Sequence, residues 1–204
     1  MKISSQKWIK TAGVLCLVIL VVGGPVLVWW HSRQAKAQEY FSEALKAGHS
    51  GQADRAMTLL YSATAVDPFF SPAYSLLGWY QFQRKEWRRA ERLLLKAVRC
   101  SPRNKKDWSL LAEVYYRQGN LREFLSAITT ANRIDSRYIK PYLQRAMMHY
   151  DLHLYELALS DVSRALELDP QNAAALELKG MIARAVAGGG QESRKDMKYF
   201  RIQE

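Results

Sequence analysis

DWSLLAEVYYRQGNL, residues 107–121, places a tryptophan, a leucine, an alanine and a tyrosine at 108, 111, 112 and 115, and a glycine at 119. Steps of three and four residues put Trp108, Leu111, Ala112 and Tyr115 on one face of a helix. Gly119, four residues further on, marks where that helix stops. Two turns of apolar surface that end in a tight stop cannot bury themselves. A neighbouring segment must supply the other half.

The other half is a copy of the same pattern. Pro68, Pro102 and Pro170 are separated by 34 and twice 34 residues, with Ser136 in the vacant place. Ala63, Ala97, Ala131 and Ala165 share that period, as do the aromatic residues Tyr40, Tyr74, Trp108 and Tyr142. Ala44, Gly78, Ala112, Ala146 and Gly180 form a column of small residues. Small residues let helices approach, the aromatic fills the gap between them, and proline after a second helix forbids continuation.

On these columns the chain resembles the tetratricopeptide repeat family, whose 34-residue unit is a helix–turn–helix. The fullest copy holds Trp108, Leu111, Ala112, Tyr115, Gly119, Ile128 and Ala131. The resemblance implies an all-α fold, a right-handed α-solenoid of four units over 37–70, 71–104, 105–138 and 139–172 with a capping helix over 173–187. Departures are local. Phe124 stands where Ala56, Ala90 and Ala158 recur, Gln81 and His149 replace the interior tyrosine, and Lys85 and His153 stand where the inter-helix turn usually takes glycine.

The resemblance also implies a concave surface lined by first helices. Carried over position by position, it holds Phe41, Leu45, Trp79, Phe82, Glu113, Tyr116, Arg117, Met147 and Tyr150. Apolar and aromatic groups left in such a hollow imply a protein partner; the competing reading is that some turn sideways into the stack. Chaperone-binding relatives grip a terminal carboxylate with Lys, Asn and Arg, but the matching positions here are Phe41, Leu45, Leu76, Lys106 and Leu110, so that clamp is absent.

RKEWRRAERLLLKAVRCSPRNKK, Arg84 to Lys106, has ten basic and two acidic residues. Arg88, Arg92 and Lys96 recur every fourth residue and Arg99 follows, a ridge facing away from Ala90, Leu94 and Ala97. Like charges at this spacing cost a few tenths of a kcal/mol per pair. The ridge reads either as an ordinary solvated face or as a seat for an anionic polymer, acidic protein or lipid surface.

Ahead of the repeats, Thr11 to Trp30 contains no charged residue. Twenty residues at 1.5 Å each span about 30 Å, the hydrocarbon thickness of a bilayer. Trp8 precedes this run and Trp29 and Trp30 end it, while Lys7, Lys10, Arg33 and Lys36 bracket it. The expectation is a basic tail over 1–10, one transmembrane helix over 11–30 and a juxtamembrane linker over 31–36. The small charge bias puts the amino terminus in the cytoplasm and the repeat domain outside it, periplasmic in a bacterium; the alternative is a cytoplasmic-facing domain. A cleaved signal ending near Ala35 to Ala37 is the competing reading.

The rest is quieter. The net charge of +11 is shared between residues 1–36, with five basic and no acidic residues, and residues 37–187, with 21 and 16. Cys16 and Cys100 provide no disulfide framework. His149 and His153 are one helical turn apart, but one holds a core position and the other a turn, so no metal is expected. Without a phosphate-cradling loop, a haem motif or a catalytic constellation, neither enzyme activity nor a cofactor is expected, and no nucleic acid. Residues 188–204 read as a flexible tail with a few apolar residues. The sequence thus predicts a membrane-anchored interaction protein, an assembly or scaffold factor or accessory subunit of a membrane or envelope complex that docks a partner segment in its hollow, or alternatively a binder of anions through its ridge.

Overall fold

The computed structural model describes residues 24–188. These residues form helices α1 (Gly24–His49), α2 (Ala53–Val66), α3 (Ser71–Gln83), α4 (Trp87–Cys100), α5 (Lys105–Arg117), α6 (Leu121–Ile134), α7 (Ile139–Asp151), α8 (Tyr155–Leu168) and α9 (Ala173–Ala187), with no strand among the described residues.

The period is written into the backbone at both kinds of turn. Between first and second helices, Gly51, Lys85, Gly119 and His153 all adopt positive φ, at +76°, +60°, +78° and +58°. The residue after each donates its N–H five positions back, Gln52 to Ala47, Glu86 to Gln81, Asn120 to Tyr115 and Leu154 to His149, at 2.8–2.9 Å. That bond satisfies a carbonyl which the helix end would otherwise leave open. After each second helix, Asp67, Ser101, Asp135 and Asp169 leave the helical conformation, the three aspartates into extended backbone, and return their N–H to the alanine four residues earlier. The three aspartates also accept, through Oδ1, from the backbone of Phe69, Arg137 and Gln171. This column of turn-forming side chains fixes the exit from each hairpin.

The chain divides into two compact units, one ending at Ala73 and the other beginning at Tyr74. In the first, α1 packs along α2. Its core is narrow, with Ala44 and Ala47 on α1 and Ala56, Met57, Leu60 and Ala63 on α2. Phe41 meets Phe70 edge to face at 5.5 Å. Arg33 Nε donates to the carbonyl of Val66 at 2.6 Å, holding the early part of α1 to the end of α2.

In the second unit, α5 pairs with α6 and α7 with α8, while α9 lies against α8. One apolar cluster joins Leu94 and Val98 of α4 to Leu111 and Tyr115 of α5, Phe124 and Ile128 of α6, and Met148 of α7. Another joins Ala146 of α7, Val162 of α8 and Leu178 and Ile182 of α9. Phe124 is buried where other copies carry alanine, and its ring meets Tyr116 at 5.5 Å. On α9, Glu177 and Lys179 remain exposed on the outer face.

The expected transmembrane helix is not supported. Residues 11–23 of that span lie outside the described residues, as do the basic tail and residues 189–204. Among the described residues no helix is long and apolar enough to cross a membrane. Residues 24–30 open α1, which runs unbroken to His49 and carries Arg33, Lys36, Glu39, Glu43 and Lys46. The expected linker over 31–36 is therefore helical, and Val28, Trp29 and Trp30 are exposed at its start. The localisation inferred from the span, with the amino terminus cytoplasmic and the repeats beyond the membrane, is corrected with it.

Candidate binding surfaces

In the second unit, side chains from successive first helices meet in a row of polar contacts. Ser75 Oγ donates to Asp107 Oδ2 at 2.7 Å, and Asn104 Nδ2 donates to the same oxygen at 2.7 Å. Ser109 Oγ donates to Gln144 Oε1 at 2.6 Å, while Gln144 Nε2 donates back to the Ser109 carbonyl at 3.0 Å and to Glu113 Oε2 at 3.1 Å. Glu113 Oε1 holds Arg117 at 2.8 Å. Further along, the Tyr116 hydroxyl donates to Asp151. Each bond between helices joins residues 31 to 35 apart, about one repeat.

Burial controls the ionisation of this row. Loss of hydration raises the Asp107 carboxyl above the ordinary value of 3.8, against the opposing pull of the bonds from Ser75 and Asn104. The Asp151 carboxyl is raised for the same reason, with the Tyr116 bond and Arg117 opposing. The Tyr116 phenol is pushed well above its ordinary value, first by burial and then by the carboxylate that accepts its bond. The phenol stays protonated, and the row has already matched its donors to its acceptors.

The expected groove residues separate into two kinds. Trp79 on α3 and Met147 on α7 are 42% and 38% exposed, and in the first unit Leu45 is also exposed. Phe41, Phe82 and Tyr150 are half-buried, with rings turned to Phe70, Trp87 and Tyr155 respectively. Glu113 and Arg117 form an ion pair at the surface. Tyr116 departs from the expectation. It is 6% exposed, packed on Phe124 and bonded to Asp151, so it braces the floor rather than facing a partner.

The fourth repeat contains a polar cluster that the sequence does not flag. Asp161 is 5% exposed on α8 and receives both Nε, at 3.0 and 3.1 Å, and Nη2, at 2.5 Å, from Arg145. His149 Nδ1 lies 3.1 Å from Asp161 Oδ2, the oxygen that Nη2 does not reach. The signal for this cluster is the pairing of Arg145 with Asp161 across one hairpin, which no periodic column contains. Hydrogen bonding to Asp161 holds the guanidinium above its ordinary value.

On α4, Arg88, Arg92, Lys96 and Arg99 are all exposed, opposite the buried Ala90, Leu94, Ala97 and Val98. Lys96 Nζ lies 5.3 Å from the centre of the Tyr74 ring. Beside the start of this ridge is an open depression of about 620 Å³, walled by Trp87, Arg88, Arg92, Gln118 and Asn120.

Paired helices with this turn chemistry form a tetratricopeptide-like fold. The chain matches no family model. It is similar to a thermophilic TPR protein of Thermus thermophilus, with a TM-score of 0.61 and 24% identity over 80% of this chain and 94% of that one. It is also similar to the first TPR of Spaghetti (RPAP3) bound to HSP90 peptide SRMEEVD, with a TM-score of 0.53 and 25% identity over 57% and 93% of the two chains. Among curated proteins it is 30% identical to a DnaJ homolog subfamily C member 7 homolog of Schizosaccharomyces pombe, over 76% of this chain and 32% of that protein. The chain spans about a third or less of the length of the curated relatives it matches.

Proposed function

We propose that this chain is a non-catalytic docking module that binds a segment of a partner protein along the first-helix face of its second unit, as a scaffold or assembly factor. The observation that carries the reading is the exposure of Trp79 and Met147 beside a floor whose polar groups bond one another. A satisfied floor demands little from a ligand, so selectivity rests on apolar contact and shape. The likeness to a repeat domain solved with a bound peptide supports docking of a peptide as such. The ligand differs in kind. With Leu76, Lys106 and Leu110 at the carboxylate-clamp positions of the second unit, the preferred segment is apolar and need not end in an acidic terminus.

The test is selection from a displayed library of random peptides, followed by titration of synthetic peptides. Trp79→Ala and Met147→Ala are each expected to weaken the selected peptides about fivefold to tenfold, as hot-spot truncations do. SRMEEVD is expected not to compete. Selected peptides that ignore both substitutions would refute the docking face. Competition by SRMEEVD would refute the preference.

A further inference from the structure

We infer that the exposed ridge of α4 is a second docking surface and that its occupant is an acidic polypeptide segment. The first observation is a departure from the chain's own pattern. The other second helices carry an acid in their first turn, Asp54 in α2, Glu123 in α6 and Glu156 in α8, where it complements the positive end of the helix. The first turn of α4 has no acid and holds Arg88 and Arg89 instead. Cations at that end of a helix oppose its dipole, and Arg88, Arg92 and Lys96 repel one another at four-residue spacing. Among the described residues, no carboxylate forms an ion pair with Arg88, Arg92, Lys96 or Arg99. Glu86 at the N-cap reaches Arg89 at 3.9 Å and Lys96 lies over the Tyr74 ring, so among the described residues the ridge is only partly compensated and carries no carboxylate partner of its own.

The length and chemistry of the ridge select the occupant. Arg88 to Arg99 rises about 16 Å along the axis, three turns of helix. Guanidinium forks bind carboxylates through paired bonds. The depression at the ridge's start sets Trp87 beside Arg88 and Arg92, and the two carboxylates in its lining, Glu86 and Glu91, already have partners in Arg89 and Gln118. No large apolar side chain between Trp79 and Leu125 is exposed. The ridge therefore has nothing to insert into lipid.

The experiment uses the full chain with three probes: poly-L-glutamate, vesicles containing about 30% phosphatidylserine, and oligo(dT). Arg88→Glu with Arg92→Glu is compared with Arg133→Glu with Lys179→Glu, which changes net charge equally at exposed sites elsewhere. Poly-L-glutamate is expected to bind most tightly, with an affinity reduced about tenfold or more by the ridge pair and less than about threefold by the control pair. The ridge pair is also expected to melt no lower than wild type, since it restores acid to the first turn; Arg88→Gln with Arg92→Gln provides the milder check. Tighter binding of vesicles or oligo(dT), or equal losses in the two pairs, would overturn the inference. Trp79 and Met147 are unchanged in these variants, so their peptide titrations read out the other surface separately.

Discussion

The indole nitrogen of Trp108 donates to the carbonyl of Pro102 at 2.8 Å, closing the turn that leads into its own helix. One period later the Tyr142 hydroxyl donates to the Ser136 carbonyl at 3.0 Å. In these two repeats the aromatic column and the proline column are two ends of one bond, and serine can replace proline because the acceptor is a backbone oxygen. Trp108→Phe keeps the ring and removes the donor. A loss of about 1 kcal/mol is expected in urea denaturation, whereas an unchanged midpoint would mean that the ring only fills space.

Gly78 leaves no room for a side chain. A Cβ there would lie 2.7 Å from Leu94 Cγ and 2.8 Å from Cδ2. Leu94 is fully buried and has little freedom to withdraw. Gly78→Ala is expected to destabilise by about 1–3 kcal/mol despite the better helix propensity of alanine. Gly78→Ala combined with Leu94→Ala tests the cause, because the two effects should fall well short of additive.

Lys85 holds a left-handed conformation that Gly51 and Gly119 reach without strain. Lys85→Gly is expected to stabilise by about 0.5–1 kcal/mol, since relief of the strained backbone exceeds the added freedom of the unfolded chain. A fall in melting temperature would contradict this. The equivalent change at His153 is a poorer test, because His153 Nδ1 also lies 3.0 Å from the Tyr155 hydroxyl.

Asp107 sets a pH dependence whose sign follows from its burial. Its folded-state value is raised, so the folded protein holds this proton more tightly than the unfolded chain does. The contribution is stabilising below the ordinary value of 3.8 and is lost as pH rises through the raised value. Asp107→Asn keeps an oxygen for Ser75 and Asn104 and removes the buried charge. Near neutral pH the variant is expected to gain on wild type, with the gap closing as pH falls towards 3.8. A gap independent of pH would show that the charge is not the cause.

Asp161→Ala leaves Arg145 and His149 facing an empty place in the hairpin. A loss of about 3 kcal/mol or more is expected, as for other pairs broken on one side. Arg145→Met together with Asp161→Leu should recover much of it. Thermal melts of the single and double variants decide between a stabilising bridge and a merely tolerated one.

The fold was legible because period leaves a trace in residue type. Alanine at 63, 97, 131 and 165 and the aromatics at 40, 74, 108 and 142 record close helix packing directly. Lys85 and His153 could be placed in the turn by register alone, and their positive φ follows from that place. The surface was less legible. Position counting put Tyr116 in the groove, but the bulk of Phe124 and the carboxylate of Asp151 draw it inward, a choice made by neighbours one helix away. The reading of 11–30 as a membrane span is not supported, and residues 11–23 of it lie outside the described residues. An absence of charge sets no helix boundary, and residues 24–30 belong to a helix that runs on through a charged segment to His49.

The bonds Ser109–Gln144, Glu113–Gln144 and Tyr116–Asp151 each take one partner from α5 and the other from α7. Ending the chain after Arg137 would thus do more than subtract a layer: it would strip Ser109, Glu113 and Tyr116 of their counterparts. Amide exchange in α5 would then speed up although every residue of its own hairpin remained. Damage at the carboxyl end is inherited upstream, one helix at a time.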